Sequence, residues 1–229
     1  MTWIFANFEQ IVMLTRDHIL LSIPPILLGF ILAVPIGYIA HRYRVSRGVL
    51  LTVSGLLYTI PSLALVVAMP AILGTKILDP LNLVATLTIY AIALMVRTAA
   101  DAFDSISPDV RQSATAMGYG PWSRFWKVEL PLAGPVLLAG LRVVSASTVS
   151  LVTLGALVGL SGLGYLFTDG YQRSFATEIL TGVVLTVVIA VVFDLLLILL
   201  GRVVLPWAKI EAVARTGDRA PRRRKAVTA

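Results

Sequence analysis

The stretch ILTGVVLTVVIAVVFDLLLILLG (179–201) runs for 23 residues with a single charge, Asp194. Coiled as an α-helix at 1.5 Å per residue it reaches about 34 Å, enough to cross a hydrocarbon core of about 30 Å. A helix is required, because an isolated strand would leave its peptide groups without partners in lipid. Outward from this segment, four more runs of 19 to 24 residues read the same way: 18–40, 49–71, 83–101 and 135–158. The sequence therefore predicts an all-α integral membrane protein with about five transmembrane helices.

Composition supports the class. Hydrophobic residues are 58% of the 229, charged residues only 14%, and mean hydropathy is +0.89. A soluble domain is nearer half apolar and a quarter charged. A greasy α/β enzyme is excluded by run length, since buried helices seldom need more than about 14 apolar residues in a row. Cysteine is absent, which removes disulfides, thiolate nucleophiles and thiolate metal sites. The only histidines, His18 and His41, fall at opposite ends of the first span and cannot share a metal ion. An intramembrane enzyme would need a Ser/His pair, facing aspartates or a histidine-rich metal site, and the spans supply none. A secondary carrier would show more spans, internal repeats and several intramembrane ionisable groups.

The net charge of +7 is a topology signal. Arg42, Arg44 and Arg47 occupy one connection; Arg111, Arg124 and Lys127 another, with Arg97 and Arg142 just inside the spans that flank it. Eight of the nineteen basic residues follow Gly201. The opposite side holds only Arg16, Lys76 and Arg173. Sixteen against three places the N-terminus outside and the C-terminus in the cytoplasm, and argues against nucleic acid as a partner. With no basic residue before Arg16 and no A-x-A site after the first apolar run, the first span is expected to be retained. Residues 1–212 are read as one transmembrane domain, and 213–229 as a basic cytoplasmic tail, expected to be disordered near anionic lipid.

The connection SISPDVRQSATAMGYGPWSRFWKVELPLAGP (105–135) is the one non-spanning segment large enough to fold. Ser107-Pro108-Asp109 is a helix start, with a cap and a first-turn proline. Gly118 and Gly120 break that helix, Pro121 restarts it through Trp122, Phe125 and Trp126, and Leu130-Pro131 is expected to close it. Gly118 is expected to let the two short helices approach where a Cβ would obstruct them.

Residues 112–131, QSATAMGYGPWSRFWKVELP, resemble the EAA loop of bacterial ABC importer permeases: Glu-Ala-Ala, three residues, Gly, nine residues, an aliphatic residue, one more, then Leu-Pro. Gln112, Ser113, Ala114, Gly118, Val128, Leu130 and Pro131 hold the matching places, with Gln112 and Ser113 departing from Glu and Ala. Gln112 cannot pair with an arginine as a carboxylate would. The resemblance implies that Arg111, Gln112, Ser113, Ala114, Met117, Gly118, Leu130 and Pro131 form an ATPase-coupling loop. It also implies a cytoplasmic ATP-binding subunit, a second permease chain, an extracellular solute-binding protein, and a place in the bacterial plasma membrane. ATP would be used by the partner subunit, with no cofactor on this chain and no chemistry of its own. YTIPSLALV (58–66), MVRT (95–98) and GALVGLSGLG (155–164) resemble permeases for glycine betaine, carnitine and choline. The alternative cargo is another small solute such as an amino acid.

Pro61 is expected to kink the second span, giving Tyr58, Thr59, Pro61 and Ser62 as candidate translocation-pathway residues. Gly155 and Gly159, four apart, are candidates for helix packing. Asp194 is expected to find a cation such as Arg202, with Arg97 and Arg142 as interface anchors. Ser161-Gly162-Leu163-Gly164 is expected to turn the chain outside the membrane.

Overall fold

The computed structural model describes residues 2–207, and the basic tail at 213–229 lies outside them. Every described element is helical. A short α1 (Thr2–Ala6) leads into α2 (Phe8–Arg42); α3 (Arg44–Thr59) and α4 (Ser62–Leu73) follow, then α5 (Pro80–Asp104) and α6 (Pro108–Ala116). From Pro121 one long rod runs as α7 (Pro121–Arg124), a π turn (Phe125–Glu129), α8 (Leu130–Val152) and a 3₁₀ turn (Thr153–Val158). The short α9 (Gly164–Gln172) and the long α10 (Ala176–Val204) complete the chain.

Four of these rods are long and apolar enough to cross a membrane, and α3 with α4 make a fifth if counted as one span. The number of spans agrees with the sequence; their form differs. The helix of the first span, α2, starts at Phe8, ten residues before His18, so that histidine is fully buried well inside it. The second span is not a kinked rod. Its halves meet at 101°.

The centre of the bundle is α5, buried along most of its length. Its principal neighbour is α2. Gly29, Ala33, Gly37 and Ala40 form a stripe of small residues on α2 facing Ala91, Met95 and Ala99. A Cβ on Gly29 would collide with that of Ala91, and one on Gly37 with that of Ala99. Small-residue stripes are what pull membrane helices together, since lipid offers no hydrophobic drive for association. Gly140 brings α8 against Thr98 and Met95 of α5 in the same way.

Gly155 and Gly159 take different parts. The α-helix ends at Val152, so a spacing of four no longer puts them on one face. Gly155 packs beneath Leu83 of α5, whereas Gly159 ends the 3₁₀ turn at φ 79°, a left-handed position.

Pro24, Pro25 and Pro35 sit inside α2 without breaking it, as membrane helices tolerate when neighbours satisfy the freed groups. α10 is the reverse of α5: almost nothing of its central window is buried, and Val and Leu face outward on most sides.

Candidate functional site

The loop between α5 and α8 begins on a local signal legible in the sequence. Ser107 caps α6, its hydroxyl accepting from the Asp109 N–H at 3.3 Å, and Pro108 fills the first helical position. α6 ends at Ala116 with Met117 as its cap, and Gly118 then turns the chain at φ 86°. A Cβ on Gly118 would meet nothing within 4 Å. Glycine is therefore needed there for its backbone angle, and crowding between the two helices plays no part.

The Leu130-Pro131 step departs from expectation. The helix runs straight through it from Pro121 to Val158. Proline lacks an N–H, but Pro131 falls in the first turn of α8, next to the π turn in which the Leu130 N–H reaches back to Phe125 O.

That π turn assembles a charge cluster that no spacing rule would have flagged. In an α-helix a residue faces its neighbour four along; in a π turn the pairing shifts to five. Arg124 and Glu129 are five apart, and Arg124 Nε donates to Glu129 Oε1 at 2.9 Å. Arg111 of α6 approaches the same oxygen at 3.6 Å and also donates to the Phe103 carbonyl. The second arm of Arg124 donates to Thr115 Oγ1 at 2.9 Å. Glu129 is only 2% exposed. One buried carboxylate thus ties α6 to the base of the α8 rod.

Aromatic rings support the cluster from below. Tyr38, Phe103 and Phe125 pack mutually with centroids 4.6 to 5.9 Å apart, largely edge to face. Beside them, His41 and Arg47 both bond Asp104, and Arg47 also reaches Asp101 at 3.3 Å. The ends of α2, α3 and α5 are thereby locked to the point where α6 begins.

Of the loop residues named from the sequence, Ala114 is buried, while Gln112, Ser113, Met117 and Gly118 are exposed. Leu130 packs on the core and Pro131 is half-buried. Arg111 faces inward to Glu129, so it belongs to the support of the surface formed by Gln112, Ser113 and Met117. Arg42, Arg111, Gln112, Thr115, Ala116 and Arg124 line a basic cleft of about 390 Å³ beside it.

The second locus is the break between α3 and α4. The residue before a proline is pushed to extended backbone, and Ile60 sits at φ −64°, ψ 130°. Its freed carbonyl accepts from the Tyr90 hydroxyl of α5. The rings of Tyr58 and Tyr90 lie 5.6 Å apart. Tyr58, Thr59 and Pro61 are exposed and Ser62 is half-buried, while the Thr59 hydroxyl is satisfied locally by Leu56 O at 2.7 Å. Tyr90 was not singled out from the sequence; a tyrosine in an apolar span is the sort of residue that catches a freed carbonyl.

Elsewhere in the spans, Asp194 accepts two hydrogen bonds from Arg142 of α8, at 2.5 and 2.8 Å. The partner is thus Arg142 and not Arg202. Arg202, eight residues along α10, is about 12 Å farther up the helix. At the opposite end of the bundle, Ser161 donates to Asp17 at 2.5 Å, and His18 Nε2 bonds Val149 O at 3.0 Å beneath Gly162.

Comparison with known proteins agrees over nearly the whole chain. Residues 25–210 match the family described as binding-protein-dependent transport system inner membrane component. The chain is 29% identical over 198 residues to the osmoprotectant import permease protein OsmW of Salmonella typhimurium, covering 85% of this chain and 92% of that one. It is 31% identical over 193 residues to the glycine betaine/carnitine/choline transport system permease protein OpuCD of Bacillus subtilis, covering 84% and 83%. Among solved structures, an inward-facing MetNI methionine ABC transporter superposes with a TM-score of 0.75 at 23% identity, covering 87% of this chain and 98% of that one. At that identity the likeness speaks for the fold alone.

Proposed function

The chain belongs to the binding-protein-dependent transport system inner membrane component family, and on that premise we propose that it moves a small quaternary-ammonium osmoprotectant such as glycine betaine, carnitine or choline. It is the permease subunit of an ABC importer in the bacterial inner membrane. The relatives support the substrate class, one being an osmoprotectant import permease and the other a glycine betaine/carnitine/choline permease.

The observation that carries the coupling role is the exposed face of α6 on a rigid buried base. Gln112, Ser113 and Met117 face out, while Arg111, Arg124 and Glu129 hold the helix from within. A force on that face would be passed to α8 through Glu129 instead of bending a loose loop. In this reading a cytoplasmic ATPase subunit docks on α6, a second permease chain completes the pathway, and a solute-binding protein delivers cargo outside. The N-out, C-in orientation follows from the basic residues.

At the α3–α4 break, Tyr58, Thr59, Pro61 and Ser62 line the pathway in this reading. The exposed ring of Tyr58, backed by Tyr90, offers a π face of the kind that attracts a quaternary ammonium. Uptake of labelled glycine betaine, choline and carnitine in a strain lacking the gene, with and without the chain restored, tests the substrate class. Restored uptake of a small amino acid but none of the three would replace it with the other cargo class.

A further inference from the structure

Between α8 and α10, at the end where the α8 rod begins, lies a groove of about 360 Å³ whose walls are almost wholly apolar. Phe30, Leu137, Leu141 and Leu200 form its depth, and Pro131 with Trp207 its mouth. Gly134 and Gly201 shape it: the side chain of Leu205 folds over the first and that of Leu138 over the second, where any Cβ would collide. From Leu130 to Leu141 the groove follows twelve residues of α8, about 16 Å at the helical rise, or roughly half of a hydrocarbon core of about 30 Å. That is the depth of one leaflet.

A second cleft, of about 460 Å³, opens from the same mouth. It shares Pro131 and Trp207 with the groove and adds Lys127. Lys127 is exposed, whereas the neighbouring Arg111 and Arg124 are committed to Glu129. The π turn presents Lys127 and Val128 here, on the side of Trp207. Tryptophan at such a mouth marks the level of the headgroups.

We propose that this composite site binds one anionic phospholipid, with an acyl chain in the α8–α10 groove and the phosphate at Lys127. An acyl chain gains nothing hydrophobic by leaving other lipid for the groove, so tight packing and the headgroup charge must select the occupant. A leaflet-deep apolar slot beneath the exposed Lys127 matches such a lipid better than a protein surface. The inference does not depend on which solute the importer carries.

The test is native mass spectrometry of the full-length chain, stripped of lipid in detergent and given back phosphatidylglycerol or phosphatidylcholine of matched chains. Phosphatidylglycerol is expected to be held about fivefold more tightly, the ratio that one basic residue near a membrane surface supplies. Lys127→Gln, an exposed change that leaves the core untouched, should bring that ratio close to one. The basic tail is common to both proteins, so the difference isolates Lys127. Val204→Trp, on the open side of the groove, should weaken retention of both lipids. Equal retention of the two lipids by the unaltered chain overturns the proposal, as does a preference that survives Lys127→Gln. Efficient disulfide cross-linking of Val204→Cys between two copies would also overturn it, giving the groove to a second chain.

Discussion

Glu129 and Arg124 are five residues apart in the chain and 2.9 Å apart in space, because a π turn stands between them. With Arg111 on the same oxygen at 3.6 Å, one carboxylate balances two guanidinium groups under α6. A buried ion pair adds little net stability by forming, yet breaking one strands the remaining charge.

Replacing Glu129 with glutamine should therefore cost about 3 kcal/mol, the usual penalty for an unpaired buried charge. Thermal unfolding of the purified chain should move down by several degrees, and uptake should fall at least tenfold. Gln112→Ala, on the exposed face of α6, should leave unfolding unchanged. Equal melting of Glu129→Gln and the parent would show that the cluster bears no load.

Gly118 tests a backbone angle. At φ 86° with open space around it, alanine should cost about 1–2 kcal/mol, asparagine less, and valine most. Uptake should fall in the order Gly, Asn, Ala, Val. If alanine and valine were equally harmless, the turn would not need its left-handed residue. If only bulk mattered, asparagine would be worse than alanine.

Gly37 tests space. The helix there is regular and a side chain would run into Ala99 and the backbone beyond it, so Gly37→Val should destroy the α2–α5 contact and greatly lower the amount of folded protein in membranes. Gly55→Ala, where nothing lies within 4 Å, should be silent. Detergent extraction followed by size-exclusion chromatography separates the two outcomes.

Tyr90→Phe removes only the hydroxyl that holds the Ile60 carbonyl. A loss of about 1 kcal/mol is expected, the net worth of one hydrogen bond. It should appear as a small drop in melting temperature together with a larger change in spin-label distance across the α3–α4 break. An unchanged distance distribution would mean that Pro61 fixes the angle alone.

For the intramembrane pair, Asp194→Asn should reduce the yield of folded protein more than the double change Arg142→Gln with Asp194→Asn. The single change leaves a guanidinium in the span without its carboxylate, and the double change leaves none. A single variant that accumulates as well as the double would argue that the pair faces water.

What the sequence revealed follows from how far each signal reaches. Membrane class came from run length, and the α6 start from Ser107 and Pro108, because both depend on neighbours a few residues away. Pro61 announced a disturbance, but neither the 101° angle nor the bond from Tyr90, thirty residues along, to the Ile60 carbonyl could be read from its neighbours. Asp194 was visible as an intramembrane acid, yet its partner lies 52 residues back on another helix. The stripe Gly29, Ala33, Gly37 was legible in principle; the glycines at 155 and 159 drew attention instead, though a 3₁₀ turn takes them off a common face. Pro131 misled because proline usually ends a helix, and the π turn that admits it has no composition of its own.

That π turn also fixes a phase. Every side chain before Phe125 is set about one residue out of step with α8, which in angular terms is about 100° around the rod. Deleting one residue between Phe125 and Glu129 would let the rod relax to plain α-helix and swing α6 a quarter turn about its axis. The exposed face of α6 would survive in sequence and point the wrong way, so the length of this segment is constrained more tightly than its lettering.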